Sequence, residues 1–133
     1  MRVNEDPLQT ETLGGERFNV VDSASTLLAS DTANRFAAAL LAALGHRRRL
    51  RIVRLLARNG PMSVGEIAKE VGAAQSNVSQ HLAVLMRSGA LLREEAGAAR
   101  RYSLRDARVV ELLRLVEEFR LEHREDIAEG VDA

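Results

Sequence analysis

The side chains best suited to chemistry lie between positions 75 and 101. Gln75, Ser76, Asn77, Ser79 and Gln80 crowd a turn and a half of helix with short polar groups. Gln and Asn each donate and accept at once, as bidentate pairing with the edge of adenine requires, and Ser can serve in either role. The same residue types are favoured helix caps, so for any one of them a capping role stands beside a recognition role. Arg87, Arg93, Arg100 and Arg101 follow, with Arg51 and Arg54 upstream. Guanidinium groups grip phosphate oxygens in a fixed fork, which makes these six candidates for contact with a nucleic-acid backbone. His81 could change charge near neutral pH beside DNA, or stay neutral if packed.

Other chemistries find little purchase. There is no Cys, which removes disulfides, thiolate metal sites, iron–sulfur clusters and a Cys nucleophile together. No Gly-rich phosphate loop, HExxH motif or readable Ser–His–Asp spacing occurs. The acid pairs Glu94-Glu95 and Glu117-Glu118 are sequence neighbours, so their carboxylates point different ways on a helix or strand. His123 lies near Glu122, Glu125 and Asp126, which suits either a weak hard-metal site or a solvated charged face. His46 is expected as a cap or surface residue. The expectation is a protein without catalytic activity or cofactor.

Net charge is zero, 19 basic against 19 acidic residues, but the charges are sorted along the chain. Residues 1–44 carry −3 and residues 106–133 carry −5, whereas residues 45–105 hold eleven Arg and Lys69 against four Glu, a net +8. A basic middle between acidic ends suggests a polyanion-binding segment. A length of 133 residues suits one domain, and 46% hydrophobic residues with only 3% aromatics point to a helical core of Leu, Val, Ile and Ala. The longest apolar run, Phe36 to Leu44, is nine residues, too short to cross a bilayer. No signal peptide is visible, so a soluble cytoplasmic protein is expected.

These residues need elements to position them. Residues 1–23 show no period and read as a flexible tail, and 128–133 as a short C-terminal tail around a domain of residues 24–127. Within it, Leu28, Phe36, Leu40 and Leu44 recur at helical spacing up to Gly45. A second helix spans about 47–58 and ends at Asn59-Gly60-Pro61. Ser63 and Glu66 have capping-box spacing for a short helix ended by Gly72. The next helix, about 75–88, has Val78, Leu82 and Leu85 as its buried stripe. Leu91–Glu95 and Arg100–Leu104 read as strands of a hairpin around Ala96-Gly97-Ala98-Ala99. A single last helix, about 106–127, places Val109, Leu112, Val116 and Phe119 at a near coiled-coil spacing. The fold class is mainly α with one β-hairpin, a winged helix-turn-helix, with helix 75–88 narrow enough for the major groove.

The chain here resembles the ArsR/SmtB family of bacterial transcriptional repressors. The likeness rests on Leu44-Gly45-His46-Arg47-Arg48-Arg49-Leu50-Arg51-Ile52-Val53, on Met62-Ser63-Val64-Gly65-Glu66-Ile67-Ala68, on Gln75 through Leu82 with Leu85 and Gly89, and on Arg100-Arg101-Tyr102-Ser103-Leu104. It covers about residues 30–120. It implies a homodimer, joined through the first and last helices, that binds an imperfect palindrome and releases it on sensing a ligand. Family DNA contacts fall on Gln75, Ser76, Ser79 and Gln80, with Arg100 and Arg101 near the tip of the wing. The family's thiolate site is absent, since Ser63-Val64-Gly65 stands in its place. Its other metal site would use Asp106 and Glu122, but Arg108 and Phe119 stand where two His are needed. The expected partners are double-stranded DNA and a second copy of the chain, with no membrane and no identifiable inducer. The alternatives are a winged-helix protein-interaction module and a sensor with a non-thiolate metal site.

Overall fold

The computed structural model describes residues 10–13, 16–19 and 30–131. The chain divides into two compact units, residues 1–39 and 40–133. In the first, strands β1 (Thr10–Leu13) and β2 (Glu16–Asn19) pair antiparallel, with Thr10 opposite Asn19 and Leu13 opposite Glu16. The sequence places this stretch in a flexible tail and does not foresee the pairing. The signal was the Gly14-Gly15 pair between two short runs, which is a hairpin connection as readily as a flexible one. The rest of the expected tail, and Leu28 of the expected first helix, lie outside the described residues.

Helix α1 spans Asp31–Leu44, and the Ser30 hydroxyl accepts from the Ala33 amide at 3.0 Å. In the second unit, α2 (Arg47–Asn59), α3 (Val64–Val71) and α4 (Gln75–Arg87) enclose one core. Its fully buried side chains are Ile52 and Val53 of α2, Ile67 of α3, Val78, Leu82 and Leu85 of α4, and Leu91 beyond them. Each helix contributes one stripe at three- and four-residue spacing, which is why three short helices close a core that no single one could bury.

The ends of these helices are set locally. Ser63 and Glu66 form the expected capping box at the start of α3, with bonds of 3.2 and 3.0 Å. Gly72 stops the helix at φ 70°, a left-handed conformation that side chains disfavour, and so turns the chain into α4. Strands β3 (Leu91–Ala96) and β4 (Ala99–Leu104) form the hairpin, with Arg93 opposite Tyr102 and Glu95 opposite Arg100.

The C-terminal helix departs from expectation. Instead of one helix to Ile127, α5 (Arg108–Glu122) ends at His123 and α6 (Arg124–Val131) begins after it. His123 leaves the helical conformation at φ −114°, and its ring lies 4.7 Å from that of Phe119. Glu125 and Asp126 thereby occupy the first turn of a new helix, where carboxylates favour the positive end of the dipole. Val109, Leu112 and Leu113 pack on the core, but no residue of α5 is fully buried, and Val116 and Phe119 are each 59% exposed.

Candidate nucleic-acid interface

Helix α4 enters the site through Ala74, whose extended backbone caps the helix with no side-chain hydrogen bond. The first-turn amides thus receive no side-chain acceptor from the cap, leaving donors and a partial positive charge for an anion. Gln75 and Ser76 lie inside the helix rather than at its cap. With Val78, Leu82 and Leu85 turned to the core, Gln75, Ser76, Ser79, Gln80 and Arg87 are exposed on the outer surface. Gly65 of α3 lies under Gln75: a methyl group there would sit 3.3 Å from the Gln75 Nε2.

Asn77 and His81 occupy the flank of α4 that faces α2. The Asn77 Oδ1 accepts from the Arg48 guanidinium at 2.7 Å. The His81 Nδ1 is 3.3 Å from the Arg49 guanidinium, and its ring lies 4.6 Å from the His46 ring at 51°. Arg49 in turn donates through Nε to the Ala43 carbonyl at 2.6 Å, holding the C-terminal end of α1. His46 caps α2, its Nδ1 accepting from the Arg48 amide at 3.1 Å. Burial holds the His81 pKa below the ordinary imidazole value, and nearby His46, Arg49 and Arg48 push it the same way. A cleft of about 510 Å³ opens here, lined by His46, Arg47, Arg48, Arg51, Asn77 and His81.

The wing turns at Gly97-Ala98, where Gly97 adopts φ 64°. Near its tip the cations share one carboxylate: Glu95 lies 3.5 Å from Arg100 and 3.6 Å from Arg93. Arg101 turns the other way. Its guanidinium donates to the Pro61 carbonyl at 3.0 Å and lies 3.6 Å from Glu66. The Ser63 backbone bond chiefly, then the Ser63 hydroxyl and Arg101, hold the Glu66 carboxyl below the usual range. Beside this contact, Met62 and Tyr102 exchange backbone bonds of 3.0 and 2.8 Å, so β4 is stitched to the turn between α2 and α3. Sequence reasoning took Asn59-Gly60-Pro61 as a break alone and missed that anchor.

The acidic residue weighed as an ion ligand just before α5 does not fit a metal. The Asp106 carboxylate accepts from the Arg108 amide at 2.8 Å and pairs with its guanidinium at 2.9 Å. That side-chain bond, then the amide bond, depresses the Asp106 pKa, and a cation already occupies the position a divalent ion would need. Among the described residues no three His, Asp or Glu side chains gather as a metal site.

A three-helix unit whose last helix carries an exposed polar face, followed by an anchored hairpin, defines a winged helix-turn-helix DNA-binding protein. Comparison with known proteins agrees. The family model described as bacterial regulatory protein, arsR family, matches residues 46–90. An uncharacterized HTH-type transcriptional regulator of Methanocaldococcus jannaschii, MJ1325, is 38% identical over 82 residues, 62% of this chain and 92% of the relative. The crystal structure of Mycobacterium tuberculosis Rv0081 superposes with a TM-score of 0.64 at 33% identity, covering 73% of this chain and 97% of that one. The solution structure of the homodimeric winged helix-turn-helix DNA-binding domain Mb0332 of Mycobacterium bovis, a possible ArsR-family regulator, gives 0.62 at 29% identity, covering 77% and 88%. This chain belongs to the ArsR family of transcriptional regulators. Such relatives are regulators rather than enzymes, and no helix among the described residues is long and apolar enough to cross a membrane.

Proposed function

We propose that the chain is a homodimeric repressor that binds a palindromic operator, with α4 in the major groove and the β3–β4 hairpin as wing. The observation that carries this reading is the face of α4, where Gln75, Ser76, Ser79 and Gln80 are all exposed and none is spent on capping. These four read base edges. Arg51, Arg87, Arg93 and Arg100 meet phosphates and set affinity and its salt dependence. Asn77 and His81 act one step back, holding α4 at its angle to α2, while Arg101 holds the wing. Exposed Gln and Ser argue against a protein-docking helix, whose core would want aromatic and Met side chains. Dimerisation rests on Leu41 of α1 and on Val116 and Phe119 of α5, which remain exposed in the single chain. A homodimeric solved relative supports the assembly.

The test is fluorescence anisotropy against the DNA upstream of the protein's own gene and against a scrambled duplex, at two salt concentrations. A preference of about 10³-fold or more for the upstream duplex is expected. Weak and equal binding to both would overturn the reading of that upstream DNA as the operator.

A further inference from the structure

An open groove lies away from the DNA-reading face. It measures about 600 Å³ between α2 and α5, within the size range of small-molecule sites. Its apolar lining comes from Val53 and Ala57 of α2 and Val110, Leu113 and Leu121 of α5. Val110 and Leu121 are 42% and 50% exposed, so this wall stands open in the single chain. At 100° per residue they lie about 150° around α5 from the Val109, Leu112, Val116 and Phe119 stripe, so a partner docking on that stripe leaves the groove accessible.

The rim decides what would enter. Five charged groups border the groove: Arg54 and Arg58 from α2, and Arg114, Glu117 and Glu118 from α5. The α5 charges are matched within their own helix. Arg114 pairs with Glu111 and with Glu118, and Glu117 pairs with Arg120 at 2.6 Å. Arg54 adds only a weak further pull on Glu117. Among the described residues neither Arg54 nor Arg58 has a carboxylate within ion-pair distance, and both are exposed one turn apart on α2. The groove therefore combines an apolar floor with two uncommitted guanidinium groups on one lip.

We propose that this groove binds a small amphipathic anion, an apolar body carrying one carboxylate, with Arg54 and Arg58 taking the carboxylate and Val110, Leu113 and Leu121 covering the body. The site lies on α2, which meets α4 through Arg48 and Asn77. A bound ligand there has a short mechanical route to the DNA-reading helix. Binding itself is measured without DNA, so this site stands or falls independently of the operator reading.

The experiment is calorimetric titration of the full chain with octanoate and with octanamide, its uncharged counterpart. Octanoate is expected to saturate at one per chain and to bind about tenfold or more tighter than octanamide, the worth of a charge-assisted contact. Arg54→Gln with Arg58→Gln should erase that difference, and Ala57→Phe, which fills the groove from an exposed position, should abolish binding of both. Absence of saturable binding overturns the proposal, and so does octanoate binding that neither variant weakens. Ala57→Phe breaking up the oligomer in sedimentation would also overturn it, because a second copy of the chain would then be the occupant.

Discussion

Under the proposed reading, the amide of Gln80 is what separates specificity from mere adhesion. Its side chain is exposed on the outer face of α4 and offers a donor and an acceptor together. Gln80→Ala is expected to lower discrimination between operator and scrambled duplex by about 1–3 kcal/mol while leaving non-specific binding intact. Equal losses on both duplexes in anisotropy titrations would remove it from base readout. Two adjacent arginines divide differently. Sequence alone assigns both to phosphate, although neighbours on a strand point to opposite faces, and which face meets the body of the protein is not legible in it. Pairing Glu94 with Arg101 and Glu95 with Arg100 sends Arg101 back to Pro61 and Glu66 and leaves Arg100 near the tip. Arg100→Ala should therefore reduce the slope of log affinity against log salt by about one unit. Arg101→Ala should leave the slope nearly unchanged and cost about 1 kcal/mol in urea unfolding, the worth of one such hydrogen bond. A full-unit slope change for Arg101→Ala would place it on the phosphates after all.

At the scale of elements, periodicity and punctuation were readable because they act locally. The Val78, Leu82 and Leu85 stripe, the Ser63–Glu66 box and the Gly72 stop depend only on residues within a turn or two, and each is found where the spacing put it. Three features were not legible. Asn77 and His81 fall on the α2 flank because Arg48 and Arg49, some thirty positions upstream, reach them. The Met62–Tyr102 stitch likewise joins segments that periodicity treats separately. The His123 break hides in a run with no Gly or Pro. The His81 cluster gives a pH consequence. Burial and three neighbouring basic groups lower its folded pKa, so the unfolded chain takes up the proton first. Its contribution is complete above the ordinary imidazole pKa and is lost as pH falls through the lower folded value. Wild type should therefore lose more stability than His81→Gln on moving from about pH 7.5 to 5. Parallel losses in urea titrations at the two pH values would show that His81 does not couple the α1–α2–α4 corner to protons.

At the scale of the whole molecule, the charge order along the chain becomes a division of labour. The +8 segment, residues 45–105, contains α2 through β4, while the acidic C-terminal segment contains α5 and α6. A palindromic operator asks for two copies of α4 about 34 Å apart, one turn of B-DNA, and only an assembly can supply that spacing. The first half of the α5 stripe, Val109 and Leu112, is spent on the chain's own core, and the second half, Val116 and Phe119, extends beyond it. Large apolar side chains held in a row on a helix otherwise studded with Arg–Glu pairs are what a self-complementary interface needs. Phe119→Asp places a carboxylate on that row without touching α4, the wing or the core. Sedimentation should then show a monomer, and operator affinity should fall toward the non-specific level even though every base-reading residue is intact, because one recognition helix reads only half a site. A Phe119→Asp protein that stays dimeric would move the interface off this face of α5. One that becomes monomeric yet keeps full operator affinity would show that a single winged helix suffices.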